Sequence, residues 1–183
     1  MHFAVCDFLL DLVQNSVEAG AGTITVSVDD DGEWISASVA DDGKGMDEVE
    51  LERAKDPFYT DGKKHSRRKV GLGIPFLLHA VEQAGGDCAL ESRKGEGTSF
   101  RFRFPAAGVD TPPLGDLPGF FLSALCFDGD YELVIRRSSR ALGVSYEAGR
   151  SELREAAGDF TDAGALVLVG EYLRSQETPG FDG

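Results

Sequence analysis

Three polar side chains near the N-terminus are spaced to act together. Asp11, Asn15 and Glu18 stand four and three residues apart, which places them on one face of a predicted helix. That face opposes an apolar stripe of Val5, Phe8, Leu9, Leu12 and Val13, the pattern of a helix packed on a core. Three polar residues alone are most simply a solvated face. Asn15, however, is a poor helix former in mid-helix, and its amide oxygen suits Mg2+, which takes hard oxygen ligands and keeps several waters. Asp11, one turn earlier, could ligate that ion through water or orient a nucleophilic water.

Three glycine-bearing turns follow. In ADDGKGM, residues 40–46, Asp41 could accept a hydrogen bond from an adenine amine, while Gly43 and Gly45 let the backbone approach the ring. An ordinary acidic turn is the simpler reading of that segment taken alone. In KVGLGIPF, residues 69–76, Gly71 and Gly73 lead into a helix start, where free N–H groups and the helix dipole favour a phosphate. Neither a third glycine nor a G-K-[ST] tripeptide is present, so this is neither the dinucleotide fingerprint nor a P-loop. Just upstream, KKHSRRK holds five of the chain's 18 Lys and Arg. A solvated charge run is its usual meaning; beside a phosphate-binding turn it reads as an electrostatic lid over a polyphosphate. In GEGTSF, residues 95–100, the Thr98 hydroxyl could bond an adenine nitrogen directly or through water.

The elements that position these residues are legible in outline. Residues 3–19 read as a helix stopped by Gly20 and Gly22. TITVSV (23–28) and WISASV (34–39) alternate as strands joined by the turn DDDG. Residues 47–55 read as a short helix and 56–70 as a charged loop. Residues 73–84 read as a second long helix, with Pro75 tolerated in its first turn. Residues 87–92 and 98–104 are strands, and Phe100, Phe102 and Phe104 alternate with Arg101 and Arg103 as in a half-buried sheet. The order predicts an α+β two-layer sandwich, with helices on one face of a mostly antiparallel sheet. Residues 105–118 hold four of the seven prolines and read as a linker. Beyond it, FFLSALCF fits a helix or a buried strand, YELVIRRS a strand, and 151–157 and 162–175 helices capped by Ser151 and Asp162. A region of that size makes a marginal core alone, so it is expected to pack on the first domain or on a partner.

Composition narrows the function. Of the 183 residues, 42% are hydrophobic and 27% charged, and the net charge is −14. Such an acidic surface disfavours nucleic acid and anionic membrane as partners. Cys6, Cys88 and Cys126 are odd in number with no C-x-x-C spacing, which reads as reduced thiols in a cytoplasmic protein. The apolar N-terminal stretch is broken by Asp7 and Asp11, so neither a signal peptide nor a membrane span is expected there.

Taken in order, these motifs resemble the GHKL superfamily of Bergerat-fold ATPases, which includes DNA gyrase, Hsp-type chaperones, MutL mismatch-repair proteins and sensor histidine kinases. DLVQNSVEAGAGTITVSV looks like the N box of the MutL and gyrase branch, which implies Asn15 as the Mg2+ ligand and Asp11 as the acid. ADDGKGM is similar to the first glycine box, implying that Asp41 reads adenine, with Gly43, Gly45 and Met46 beside it. DPFYTDGKK looks like the F box of histidine kinases. The segment from Lys69 to Ile74, with Gly71, Leu72 and Gly73, resembles the second box, and Thr98 stands in the third.

The resemblance covers residues 3–104 and implies an ATP-binding domain over 1–105; by composition and local pattern, residues 106–118 read as a linker and 119–183 as a small α/β region. The resemblance also implies ATP and Mg2+ as cofactors and a protein partner or phosphoacceptor in trans. Neither His2, His65 nor His79 is marked as an acceptor, so a self-contained histidine kinase is not expected. The hydrolysing branch carries glutamate where Asp11 stands, one methylene shorter, which reduces its reach to an attacking water. A kinase or slow ATPase is the leading expectation; a non-enzymatic ATP/ADP sensor that regulates a partner is the alternative.

Overall fold

The structure is a computed structural model that describes residues 4–56 and 73–178. The lid cluster and the predicted site residues Lys69, Gly71 and Leu72 lie outside the described residues. Helix α1 runs over Val5–Glu18 and buries Val5, Phe8, Leu9, Leu12 and Val13. It turns at Gly20, whose φ of 72° belongs to the left-handed region that glycine occupies without penalty. Strands β1 (Thr23–Asp30) and β2 (Trp34–Asp41) form the first hairpin. Helices α2 (Glu48–Lys55) and α3 (Gly73–Gln83) follow, then the hairpin of β3 (Asp87–Arg93) and β4 (Gly97–Pro105).

The sheet continues past the proline-rich segment. Its order is β3-β4-β2-β1-β5-β6, with β5 spanning Glu132–Ser139 and β6 spanning Val144–Gly149. β5 pairs in parallel with the whole of β1, Thr23 opposite Glu132 through Asp30 opposite Ser139. The other pairings are antiparallel. Ile24, Val26 and Val28, Ala37 and Val39, the three phenylalanines of β4, and Leu133 and Ile135 are all buried. The intervening residues of β4, Arg101 and Arg103, are exposed and pair with Glu91 and Asp87 of β3. One face therefore carries the core and the other stays polar, as in a two-layer α+β fold.

The C-terminal helices complete the layer over that core. FFLSALCF resolves as a helix: α4 covers Leu117–Leu125, with Asp116 capping it and Pro118 in its first turn. α4 packs against α1 and α6 (Ala163–Gln176). The proline-rich segment runs across the start of α1, where Pro113 and Leu114 accept hydrogen bonds from the N–H groups of Val5 and Cys6 at 2.8 and 3.1 Å. These are first-turn donors that the helix itself leaves unpaired. α5 (Arg150–Ala157) begins one residue before the predicted helix, and this corrects the expected cap. Gly149 is its N-cap, and Ser151 lies inside the helix with its N–H held by the Glu132 carboxylate. Asp162 caps α6 as expected, accepting from the Gly164 N–H.

Candidate nucleotide site

The end of β2 gathers most of the described candidate residues. Asp41 closes the strand opposite Thr98 of β4 and Ile24 of β1. Its carboxylate is held at both oxygens. The Gly43 N–H donates to Oδ1 at 2.9 Å, and the Ser16 hydroxyl lies 2.6 Å from Oδ2. Ser16 also lies 3.2 Å from the Leu12 carbonyl; the shorter, charge-assisted contact takes its single proton. Because Ser16 is buried and follows Asn15 on α1, this bond ties the Asn15 helix directly to Asp41.

The first and third glycine turns are packed backbone on backbone. Gly45 has φ 61°, and a Cβ built there would stand 1.9 Å from the Arg93 carbonyl oxygen. Gly97 has φ 107°, and a Cβ there would stand 1.9 Å from the Asp41 carbonyl oxygen. At Gly43 the space is bounded by the Ala19 methyl and carbonyl, at 3.0 and 3.1 Å. The sequence suggests that Gly43 and Gly45 admit a ring. In the fold, the missing side chains first admit α1 and β3. The Gly95 N–H donates to the Lys44 carbonyl at 2.7 Å, and Lys94 reaches Asp47 at 3.5 Å, so the β3–β4 turn is clamped to the 42–47 loop.

Two serines in this assembly escape motif reading. Ser92 accepts from the Met46 N–H at 2.8 Å and lies 3.0 Å from the Gly97 carbonyl and 2.9 Å from the Thr98 hydroxyl. Ser16 stands at a core-facing position, one turn after Leu12, and Ser92 shares a strand face with Leu90. A polar residue in an inward register was the available signal for both. Asp42, next to Asp41, points the other way. Its Oδ1 accepts from the N–H groups of Gly22 and Thr23 at 2.7 and 2.9 Å, and the Thr23 N–H foremost, then that of Gly22, keep its carboxyl below the usual range.

On the α1–α3 side, Asp11 and Gly73 meet: a Cβ on Gly73 would stand 3.0 Å from Asp11 Oδ2. Ile74 packs half-buried against the core, and Asn15 is exposed one turn along α1 from Asp11. The fold thus brings Asp41, Gly43, Gly45, Met46 and Thr98 into one assembly. It sets Asp11 against the first described residue of α3. Among the described residues, no group of three or more His, Cys, Asp or Glu could hold a metal.

The family profile described as histidine kinase-, DNA gyrase B- and HSP90-like ATPase matches residues 4–108, which is more than half of the chain and takes in this whole assembly. The chain belongs to that family. Its relatives include sensor histidine kinases. The chain is 38% identical over 106 residues to the sensor histidine kinase ZraS of Klebsiella oxytoca, covering 55% of this chain and 21% of that protein. It is 30% identical over 168 residues to the sensor histidine kinase RcsC of Salmonella typhimurium, covering 89% of this chain and 17% of that protein. The chain thus spans about a fifth of the length of these relatives. A crystal structure of the N-terminal domain of a DNA repair protein shares the fold, with TM-score 0.51 at 13% identity over 89% of this chain and 58% of that one. No helix among the described residues is long and apolar enough to cross a membrane.

Proposed function

We propose that this ATPase-family chain binds Mg-ATP through the assembly around Asp41 and works as a catalytic module on a separate protein, as a kinase or a slow ATPase. The observation that carries the reading is the held carboxylate of Asp41. With Oδ2 taken by Ser16 and Oδ1 already aligned by Gly43, it is a fixed acceptor suited to an adenine amine, beside the hydroxyl of Thr98. Such preorganisation lowers the ordering cost of binding. Gly45 and Met46 support the adenine end by anchoring the loop that carries Asp41.

The residues fit a magnesium ion bound with its nucleotide. Asn15 offers an exposed amide oxygen, Asp11 a carboxylate one turn away, and Mg2+ characteristically takes one or two protein ligands plus phosphates and waters. That ion would supply charge neutralisation on the phosphates. Asp11 would orient the attacking group beside Gly73. Lys69, Gly71 and Leu72 are proposed, from the sequence alone, to line the phosphate end together with Gly73 and Ile74. Phosphoryl transfer needs mainly this kind of positioning, and the acceptor is proposed to come from a partner protein in trans.

Calorimetry and labelling test the reading together. Asp41→Asn replaces one carboxylate oxygen by an amide donor and should weaken ATP binding about tenfold or more, with the folded state retained. Unchanged affinity would remove Asp41 from the pocket. Asn15→Ala should abolish the Mg2+ dependence of binding. With γ-labelled ATP and cell extract, transfer to a protein or release of phosphate is expected; ATP binding with neither outcome identifies a sensor instead.

A further inference from the structure

Ser92, Thr98 and Asp41 are successive partners across β3, β4 and β2. Their hydroxyl protons can be assigned by counting. Ser92 Oγ makes three close polar contacts: the Met46 N–H at 2.8 Å, the Thr98 hydroxyl at 2.9 Å and the Gly97 carbonyl at 3.0 Å. The Met46 amide can only donate, and the Gly97 carbonyl can only accept. Ser92 has one proton. If it goes to Gly97, Thr98 supplies the proton for the remaining contact, and each of the three contacts contains one. If Ser92 instead donates to Thr98, two oxygens face each other at 3.0 Å with no proton between them.

The first arrangement leaves Thr98 with lone pairs only toward the pocket. Asp41 is in the same condition, since Ser16 and Gly43 both donate to it. We propose that Ser92 is a specificity-determining residue: by taking the Thr98 proton it makes the base end of the pocket accept only, so a purine with an exocyclic amine is admitted and a 6-oxopurine is rejected. The amine offers two N–H groups to the two acceptors, whereas a carbonyl at that position meets lone pair with lone pair. A site built for one polarity rejects the opposite one because its own groups are left unpaired. This proposal rests on the nucleotide reading above.

The test is the ratio of dissociation constants of the full chain for ATP and for inosine triphosphate, which carries a carbonyl where ATP carries the amine. In Ser92→Ala the Thr98 proton is released to turn toward the pocket. The preference for ATP should fall about tenfold, with inosine triphosphate binding more tightly than to the parent chain. Equal weakening of both nucleotides would mean that Ser92 only secures the Met46 turn, and overturns the proposal, as does an unchanged ratio. Should Ser92→Ala fail to fold, Thr98→Val removes the acceptor at nearly constant shape. The ratio must then fall as well, and an unaltered ratio overturns the assignment. A parent chain that binds neither nucleotide brings down the nucleotide site itself, whereas tight ATP binding with an unmoved ratio overturns only the role of Ser92.

Discussion

At Gly97 the backbone leaves no place for a side chain, because the space where Cβ would stand is occupied by the carbonyl of Asp41. Its φ of 107° adds a second penalty for any L-residue. Gly97→Ala must therefore push β2 and β4 apart at the residue proposed to read the base. It should cost about 2 kcal/mol or more of stability and weaken ATP binding in the fraction that folds. Thermal unfolding with and without nucleotide checks both effects. Gly32, by contrast, also has positive φ but nothing within 4 Å of a Cβ, so Gly32→Ala carries only the conformational penalty and leaves nucleotide affinity unchanged. Glycine content predicts turns in both places; only the neighbouring strand distinguishes a turn from a site.

Between elements, the most consequential contact outside the site fastens α6 to the sheet. Arg137 of β5 has a side chain 1% exposed, and its Nε lies 3.1 Å from the Glu177 carboxylate at the end of α6. The Tyr146 hydroxyl of β6 donates to the same carboxylate at 2.8 Å. Burial, followed by that hydrogen bond to Glu177, raises the Tyr146 hydroxyl above its usual range, so it remains a proton donor at neutral pH. Removing one partner of a buried pair strands the other charge. Glu177→Leu is expected to destabilise the chain by about 3 kcal/mol, measured by denaturant unfolding. The double variant Arg137→Met, Glu177→Leu should recover much of that loss, because an apolar pair needs no desolvated charge. A double variant no more stable than the single one would show that the pair itself, rather than the stranded charge, matters. In YELVIRRS the second arginine falls on the alternating face of Leu133 and Ile135, which marks it as inward-pointing, but its partner, 40 residues away, is not legible in the sequence.

For the whole molecule, the family match ends at residue 108, but the sheet does not. β5 lies along all eight residues of β1, and α4 packs on α1. Ending the chain at residue 108 would turn β1 into a long unpaired edge and uncover the α1 face that meets α4, a combination that favours aggregation. The shortened chain is expected to lose its sharp thermal transition, while the full chain unfolds in one cooperative step. Calorimetry on both decides this, and an independently folded 1–108 fragment would refute it.

The sequence by itself determined a first helix, read over residues 3–19, the hairpin strands, the α+β class and the order of motifs that places the chain among the ATPases. Each depends on a local period or spacing, and local periodicity survives without knowledge of the fold. Only the tertiary structure decided that Ser16 and Ser92 stand behind Asp41 and Thr98, that Gly45 and Gly97 are required by facing carbonyls, and that the C-terminal strands extend the same sheet, with β6 unannounced at its edge. Those features depend on partners brought together from distant parts of the chain. Asp41 and Ser16 are 25 positions apart, and Met46 and Ser92 are 46, so their pairing exists only once the strands have set their register.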